Sequence, residues 1–126
     1  MRAVLLGLLA AALLTETVDA QENDVYSANV IVPGCQRFLR EATGSGNNPT
    51  SSVEAFQSDV CTGTIGGLAR AILFLPPDRR SCPPKGVTRG QIVRVVLASI
   101  ERRPQRMHED FRDLAIEAMH EAWPCK

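Results

Sequence analysis

Two histidines and four cysteines are the side chains of this sequence best suited to chemistry. A nucleophilic site needs a nucleophile, a base and an orienting group held close together. His108 and His120 lie in no nucleophile motif, and their spacing differs from that of a helical zinc site. We expect His120 to face solvent beside the carboxylates of its helix. The sequence therefore predicts no catalytic residue, no metal site and no cofactor, and a protein that is not an enzyme.

The cysteines indicate a structural role instead. Cys35, Cys61, Cys82 and Cys125 form no CxxC pair, which argues against a zinc knuckle or a thioredoxin-like redox site. An even number of cysteines in a short exported chain is typical of disulfides, and oxidised cysteines do not act as thiolates. Three pairings are open at this point, and the order of the helices decides which we favour.

The first twenty residues have the layout of a secretory signal peptide. Arg2 precedes an apolar run over residues 3–14, and a polar stretch leads to a cleavage position after Ala20. The apolar run is shorter than the roughly 20 residues that span a bilayer. We therefore predict a signal peptide over residues 1–20, a mature domain over residues 21–126 and no membrane association after cleavage.

Charge adds little and does not indicate a nucleic-acid or anionic-lipid partner. The chain has 14 Lys and Arg against 14 Asp and Glu, so no strong net charge attracts a polyanion. The locally basic stretches around residues 79–80 and 102–106 stand beside prolines, where helices should end. Cations stabilise the carboxyl end of a helix, which is the simpler explanation for them. We expect no nucleic-acid binding.

Two helices are predicted in the first half of the mature chain. The first covers residues 28–39, with Pro33 and Gly34 marking its start or a kink. A capping box of Ser51 and Glu54 opens the second, which should reach about residue 75. The apolar stripe predicted for this second helix consists of Phe56, Val60, Ile65, Leu68 and Ile72.

Three glycines lie inside the second helix. Each costs about 1 kcal/mol relative to alanine in a helix interior. Gly63, Gly66 and Gly67 therefore imply a close neighbour, and we expect another helix backbone of the same chain to cross there. A contact between two copies of the chain through Gly63 and Gly67 is the alternative.

Two more helices are predicted in the second half, and no strand. Thr88 and Gln91 form a second capping box before a helix over about residues 89–102. The last helix covers about residues 109–122, with apolar positions at helical spacing, and Pro124 ends it. The predicted fold is all-α, a small four-helix domain.

This order of helices favours one disulfide pairing. Antiparallel packing of the first two helices brings Cys35 to Cys61. A hairpin of the last two helices brings together their outer ends, where Cys82 and Cys125 lie. The domain is therefore predicted to be pinned by two disulfides.

Three segments resemble a known family. Residues 61–67 match a C-x-G-Y-I-x-G pattern except at its tyrosine, and residues 82–93 resemble C-P-P-x-G-V-T-x-x-Q-L-V. The closing Ala-Trp-Pro-Cys at residues 122–125 resembles the family's last motif. Together these segments are similar to the Rap/Tai family of type VI secretion amidase immunity proteins.

The resemblance implies a compact helical protein of the periplasm that binds a peptidoglycan-cleaving amidase and blocks its active site. It also implies a frequent homodimer. The residues that carry the family motifs, besides the cysteines, are Gly63, Gly67, Thr88, Gln91, Trp123 and Pro124. A small periplasmic acid-stress chaperone is the alternative function. The loops over residues 43–49 and 78–86 are the expected exposed contact segments.

Overall fold

The computed structural model describes residues 25–45 and 51–126, and its α-helices are four. They are α1 (Ala28–Ala42), α2 (Ser52–Ala71), α3 (Arg89–Glu101) and α4 (Phe111–Ala122). Short 3₁₀ turns follow α2 at Ile72–Phe74 and precede α4 at Pro104–Arg106. This part of the chain contains no β-strand, so the all-α four-helix prediction is confirmed. The predicted signal peptide lies outside the described residues.

Capping boxes set the starts of α2 and α3, as the sequence predicted. The Ser51 hydroxyl accepts from the Glu54 amide at 3.3 Å, and the Glu54 carboxylate accepts from the Ser51 amide at 3.2 Å. Thr88 and Gln91 make the equivalent pair of bonds at 3.2 and 2.9 Å. Each box satisfies two amides that a helix start would otherwise leave without a partner.

Helix α1 runs through Pro33 instead of starting there. It begins at Ala28 and continues to Ala42, three residues beyond the predicted end. Proline removes one amide from the helical ladder, and its place near the first turns limits the loss to the carbonyl of exposed Asn29. Gly34 has a separate reason: a Cβ at this position would lie 2.2 Å from the backbone oxygen of Gln57 on α2.

The first turn of α1 is completed by the far end of the chain. The amides of Ala28 and Asn29 donate to the carbonyls of Glu109 and Met107 at 3.0 and 2.8 Å. In return the Phe111 amide donates to the Tyr26 carbonyl at 2.8 Å. The orphan amides of one helix start are thus satisfied by the segment that connects α3 to α4.

The hydrophobic core collects the inward faces of all four helices. Helix α1 packs mainly on α2, α3 packs mainly on α4, and α1 also contacts α3. The largest fully buried side chains of the core are those of Ile65, Ile72, Val93, Val96, Phe111 and Met119. Trp123 is half-buried and packs against this core. No helix of the described ranges has the length and apolar character needed to cross a membrane.

Both predicted disulfides are present. Cys35–Cys61 joins the buried interiors of α1 and α2, with the Cα atoms 5.3 Å apart. Cys82–Cys125 joins the segment before α3 to the segment after α4, with the Cα atoms 5.0 Å apart. The first bridge is fully enclosed, whereas Cys82 is exposed and Cys125 is half-buried.

Candidate protein-binding surfaces

A cleft of about 280 Å³ lies between α4 and the loop that follows the first 3₁₀ turn. We call it the charged cleft. Its lining residues are Asp78, Arg79, Arg106, Asp113, Ile116, Glu117 and His120. Both signs of charge face one another across it, so the cleft offers polar recognition rather than an apolar binding site.

Ion pairs hold the side chains of the charged cleft in place. Arg79 lies 2.6 Å from Asp113, and Arg106 lies 2.6 Å from Glu117 and 2.7 Å from Glu109. The guanidinium of Arg106 thus holds two carboxylates at once. Its hydrogen bonds lower the pKa of Glu109, and Glu109 in turn raises the pKa of Arg106. These groups are charged and oriented at neutral pH.

His120 is half-buried at the edge of this cleft, so the prediction of a solvent-facing histidine is wrong. Its Nδ1 lies 2.6 Å from the carbonyl oxygen of Arg80. A carbonyl oxygen only accepts hydrogen bonds, so Nδ1 carries the proton and donates it. The ring is therefore fixed in one orientation, with Nε2 as its remaining polar atom.

The loop over residues 78–86 is fastened to the end of α4. The hydroxyl of fully buried Ser81 lies 2.8 Å from the Met119 carbonyl oxygen and 3.2 Å from that of Trp123. The Cys82 amide donates to the Trp123 carbonyl at 2.7 Å, and the Cys82–Cys125 disulfide closes the connection. This loop is exposed along much of its length and anchored at its centre.

The cysteines and histidines of the described ranges have structural partners or face solvent. All four cysteines are in disulfides. Within residues 25–45 and 51–126, no three His, Cys, Asp or Glu side chains are grouped as metal ligands would be. His108 is exposed, and His120 contacts a backbone carbonyl rather than a nucleophile.

The second candidate surface is the outer face of α2. It points away from buried Ile65 and includes the exposed residues Phe56, Gly63, Gly67, Arg70 and Phe74. Phe56 is 68% exposed and Phe74 is 87% exposed. The prediction that Phe56 belongs to the core stripe is therefore wrong. Ile65 and Ile72 of that stripe are fully buried.

Among the described residues, no other helix covers Gly63 or Gly67 of α2, contrary to the prediction. In the described part of the molecule, no atom lies within 4 Å of a Cβ built on Gly63 or Gly67. A Cβ on Gly66 would meet only the Arg89 side chain, at 3.5 Å. The close helix approach of this fold occurs at Gly34 instead.

An apolar pocket of about 170 Å³ adjoins one end of this outer face. It lies between the start of α1 and the first half of α2. Its lining residues are Val25, Tyr26, Val30, Ile31, Phe56, Gln57 and Val60. Val25, Tyr26 and Val30 are exposed at its rim.

A family model for Rap1a immunity proteins matches residues 21–125. The chain belongs to the Rap1a immunity protein family. The match confirms the resemblance found in the sequence motifs and indicates an immunity protein that binds a secreted effector. No curated protein and no solved structure matched the chain.

The motif residues of this Rap1a immunity protein build the fold. Thr88 and Gln91 cap α3. The Trp123 carbonyl accepts hydrogen bonds from the Cys82 amide and the Ser81 hydroxyl, and Pro124 forms an isolated bridge with Ser81. Gly63 and Gly67 have no such role inside the chain. A sequence motif that a family shares thus identifies the scaffold here, while the candidate contact surfaces lie largely outside it.

Of the two loops predicted as contact segments, only one is fully described. Residues 46–50 lie outside the described ranges, so most of the loop over residues 43–49 cannot be placed. The loop over residues 78–86 does line the charged cleft. Sequence reasoning missed the cleft because its walls come from Arg79, Arg106 and α4, which are far apart in the chain.

Proposed function

We propose that this chain is a periplasmic immunity protein that binds and inhibits a peptidoglycan amidase delivered by type VI secretion. The observation that carries the proposal is the family match over residues 21–125. The two disulfides support an oxidising compartment, and the signal-peptide layout of residues 1–20 supports export to it. Immunity proteins act by binding, and the charged cleft, with its ion pairs and its disulfide-anchored loop, offers a surface for it.

The charged cleft and the loop over residues 78–86 are the surface we assign to the amidase. Binding a partner costs free energy for every loop and side chain that must be ordered. Here the Cys82–Cys125 bridge and the buried Ser81 hydroxyl have already fixed the loop. Arg79 and Arg106 are likewise held by their carboxylates. A surface ordered before binding retains more of the contact energy as affinity.

The mixed charge of this surface suits discrimination among effectors. Fixed charges of both signs favour a partner with the complementary arrangement and penalise one that places like charges together. An immunity protein must neutralise its own effector in the presence of related enzymes. The pairs Arg79–Asp113 and Arg106–Glu117 supply such a pattern in the charged cleft.

Protection of cells tests the function directly. A strain that lacks this gene is exposed to a neighbour that delivers the amidase, and its survival is compared with that of the complemented strain. We expect the full chain to protect and a chain without residues 2–20 to fail, because it stays on the wrong side of the membrane. Equal survival of all strains, with no amidase inhibited by the purified protein, would overturn the proposal.

A charge reversal locates the contact. Lys85 is exposed in the assigned loop, and Arg94 is exposed on α3, away from the residues that line the cleft. We expect Lys85→Glu to raise the dissociation constant for the amidase about tenfold, and Arg94→Glu to leave it unchanged. Equal effects of the two changes would place the contact elsewhere.

Capture of many unrelated proteins only at acidic pH would instead favour the chaperone function.

A further inference from the structure

The lining of the charged cleft has one more carboxylate than it has arginines. Arg79 and Arg106 are its cations, and Asp78, Asp113 and Glu117 are its carboxylates. Arg79 lies 2.6 Å from Asp113, and Arg106 lies 2.6 Å from Glu117. Within the described part of the chain, no side chain pairs with the Asp78 carboxylate. The unbalanced negative charge of the cleft is therefore located on Asp78.

The arginines that line the cleft leave no surplus positive charge in it. Arg106 is shared by two carboxylates, because its guanidinium lies 2.7 Å from Glu109 as well as 2.6 Å from Glu117. Arg103 approaches the same Glu117 carboxylate at 3.7 Å from outside the cleft lining. A positive charge that enters the cleft therefore meets the unpaired carboxylate of Asp78 beside arginines whose charge is already matched.

His120 adds a second acceptor to the lining. Its Nδ1 is occupied as the donor to the Arg80 carbonyl, so Nε2 of the neutral ring has a lone pair and accepts. Within the described ranges, no other hydrogen bond involves this ring. His120 also lies in the last turn of α4, where the partial negative charge of the helix end favours a cation. Asp78 and His120 thus both offer acceptors that await a donor.

One wall of the same cleft is apolar. Ile116 lines it and is only 8% exposed. Lysine and arginine side chains lay their methylene stems on apolar surface and keep the charged head among polar groups. The cleft measures about 280 Å³, roughly the volume of nine water molecules in the liquid, so it has room for one such side chain. An apolar wall beside two acceptors therefore matches an apolar stem that ends in a cationic donor.

We propose that the charged cleft binds a single lysine or arginine side chain of the effector, whose stem packs on Ile116 and whose cationic head donates to the Asp78 carboxylate and to Nε2 of His120. This inference rests on the proposed function, because the effector supplies the cation. It also gives a basis for discrimination. An effector with a carboxylate at the same place would meet Asp78 as a like charge and be rejected.

Removing the charge of Asp78 without changing its shape tests the contact. We expect Asp78→Asn to raise the dissociation constant for the amidase about tenfold, because the cationic head loses its only charged acceptor. Asp59→Asn is the matched control. Asp59 is an exposed carboxylate on α2, outside the cleft lining, and its replacement removes the same charge from the protein. Equal effects of the two changes, measured by titration calorimetry, would overturn the inference.

Asparagine in place of His120 separates binding from the anchoring of the loop. Its side-chain amide takes the position of Nδ1 and still donates to the Arg80 carbonyl, but it has no counterpart of Nε2. His120→Asn should therefore raise the dissociation constant about threefold while trypsin cleavage after Lys85 keeps its wild-type rate. An unchanged dissociation constant, or a loss of affinity that appears only together with faster cleavage, would contradict the role of Nε2.

A double-mutant cycle identifies the side chain on the effector. Each exposed lysine and arginine of the amidase is replaced by alanine and titrated against the wild-type protein and against Asp78→Asn. One replacement should weaken binding about tenfold to the wild type and cause no further loss with the variant, because both changes remove the same contact. If every replacement acts independently of Asp78, no cation of the amidase reaches the cleft and the inference is wrong.

Small probes test the cleft without the amidase. Nα-acetyl-lysine methylamide and its arginine analogue are titrated into the oxidised protein at pH 8, with the uncharged norleucine analogue in matched NaCl as control. The ¹⁵N resonance of His120 Nε2 should move upfield with the cations alone, and Asp78→Asn should weaken the response at least about threefold. No response at about 0.1 M, where millimolar binding saturates, would overturn the inference. A protein that responds to the probes but binds no amidase would support the cation site and refute only the proposed function.

Discussion

The two halves of this bundle solve the same packing problem in different ways. In the α1–α2 pair, a buried disulfide joins the helix interiors and Gly34 lets the backbones touch at Gln57. In the α3–α4 pair, the disulfide joins the outer ends, and side chains such as Val96 and Leu114 fill the space between the helices. The first pair is thus joined at its interior by a covalent bond and a backbone contact, whereas the covalent bond of the second pair lies at its outer ends.

The outer surfaces of the two helix pairs differ in composition. Helix α4 faces outward with ion-paired carboxylates, among them Glu117 and Glu121, whose partners are arginines before α4. Helix α2 faces outward with phenylalanine and glycine. The α1–α2 pair, whose helices are joined at their interior, is therefore the pair whose outer face lacks ion-paired side chains. The contacts between two paired helices and the composition of their outer face are therefore separate properties, and a substitution can change either one alone.

Removing the disulfides one at a time gives the largest expected effect. Loop closure alone stabilises by roughly 3.5 kcal/mol for the 26-residue separation and 4 kcal/mol for the 43-residue separation. Because Cys35 and Cys61 are fully buried, their replacement by alanine also removes packing, so we expect a total loss of about 5 kcal/mol. The Cys82→Ala/Cys125→Ala variant should lose about 3–4 kcal/mol. Urea unfolding measures both, and the reverse ranking would show that loop length outweighs burial.

Alanine substitution at two helical glycines should change the free energy of unfolding in opposite directions. Gly34→Ala places a Cβ 2.2 Å from the Gln57 oxygen, so the helices must separate, and we expect a loss of about 2–3 kcal/mol. Gly63→Ala meets no atom within 4 Å and should stabilise by up to about 1 kcal/mol. Unfolding of the dilute protein checks both values. Equal losses would mean that the α1–α2 pair tolerates no alanine anywhere and that the contact at Gln57 is not special.

These glycines also show what the sequence predicts and what it leaves out. The four helices, both capping boxes and the disulfide pairing follow from local patterns and chain order, so they were predictable. Which glycine lies under a neighbouring helix depends on the rotation of α1 and α2 about their axes. A helical glycine looks the same in sequence in both situations, so the sequence alone predicts a helix start or a kink at Gly34 and the close contact at Gly63 and Gly67.

Ser81→Ala tests how firmly the end of the α3–α4 pair holds its loop. The buried hydroxyl contacts the carbonyls of Met119 and Trp123, and its removal leaves these acceptors with one partner fewer. We expect a loss of about 1–2 kcal/mol in the free energy of unfolding. Trypsin should also cut the loop after Lys85 faster. Ser52→Ala at an exposed position is the control, and an identical loss there would show that the hydroxyl anchors nothing.

The charged cleft was less predictable than the fold. In sequence, Arg79 and Arg106 read as cations at helix ends. In the structure Arg106 ends the second 3₁₀ turn, whereas Arg79 lies in the loop after the first. Their assembly around α4 depends on the loop that Ser81 and Cys82 fasten to it, and no local pattern encodes that long-range contact. His120 illustrates the same limit, because its partner is a backbone carbonyl of Arg80 rather than a side chain.

Acid should destabilise the α3–α4 pair before the α1–α2 pair. We expect a smaller effect on stability than from the disulfide, glycine and serine substitutions above. Arginine hydrogen bonds hold the pKa values of Glu109, Asp110 and Glu121 below their ordinary 4.5, 3.8 and 4.5, whereas α2 has one such group, Glu54, bonded to Ser51. A lowered folded pKa adds stability above the unfolded value and loses it as pH falls through the folded one. Melting temperature should therefore be flat above about pH 5 and decline below pH 4.5.

Hydrogen exchange resolves which pair loosens. Between pH 5 and 3, after correction for intrinsic rates, amides of α4 should lose protection more than those of α1. The loss is modest because these carboxylates lie near solvent and their ion pairs are screened. A decline that starts near neutral pH would point to another group, and preferential loosening of α1 would reverse the comparison.

The bonds that complete α1 have a consequence for the order of folding. Chains emerge amino terminus first, yet the amides of Ala28 and Asn29 find their acceptors in Glu109 and Met107. The first helix therefore waits for nearly the whole chain before its opening turn is capped. For a chain that crosses a membrane through a narrow channel, such late closure is useful. In such a chain, the opening turn of α1 is completed only after residues 107–109 have followed it across.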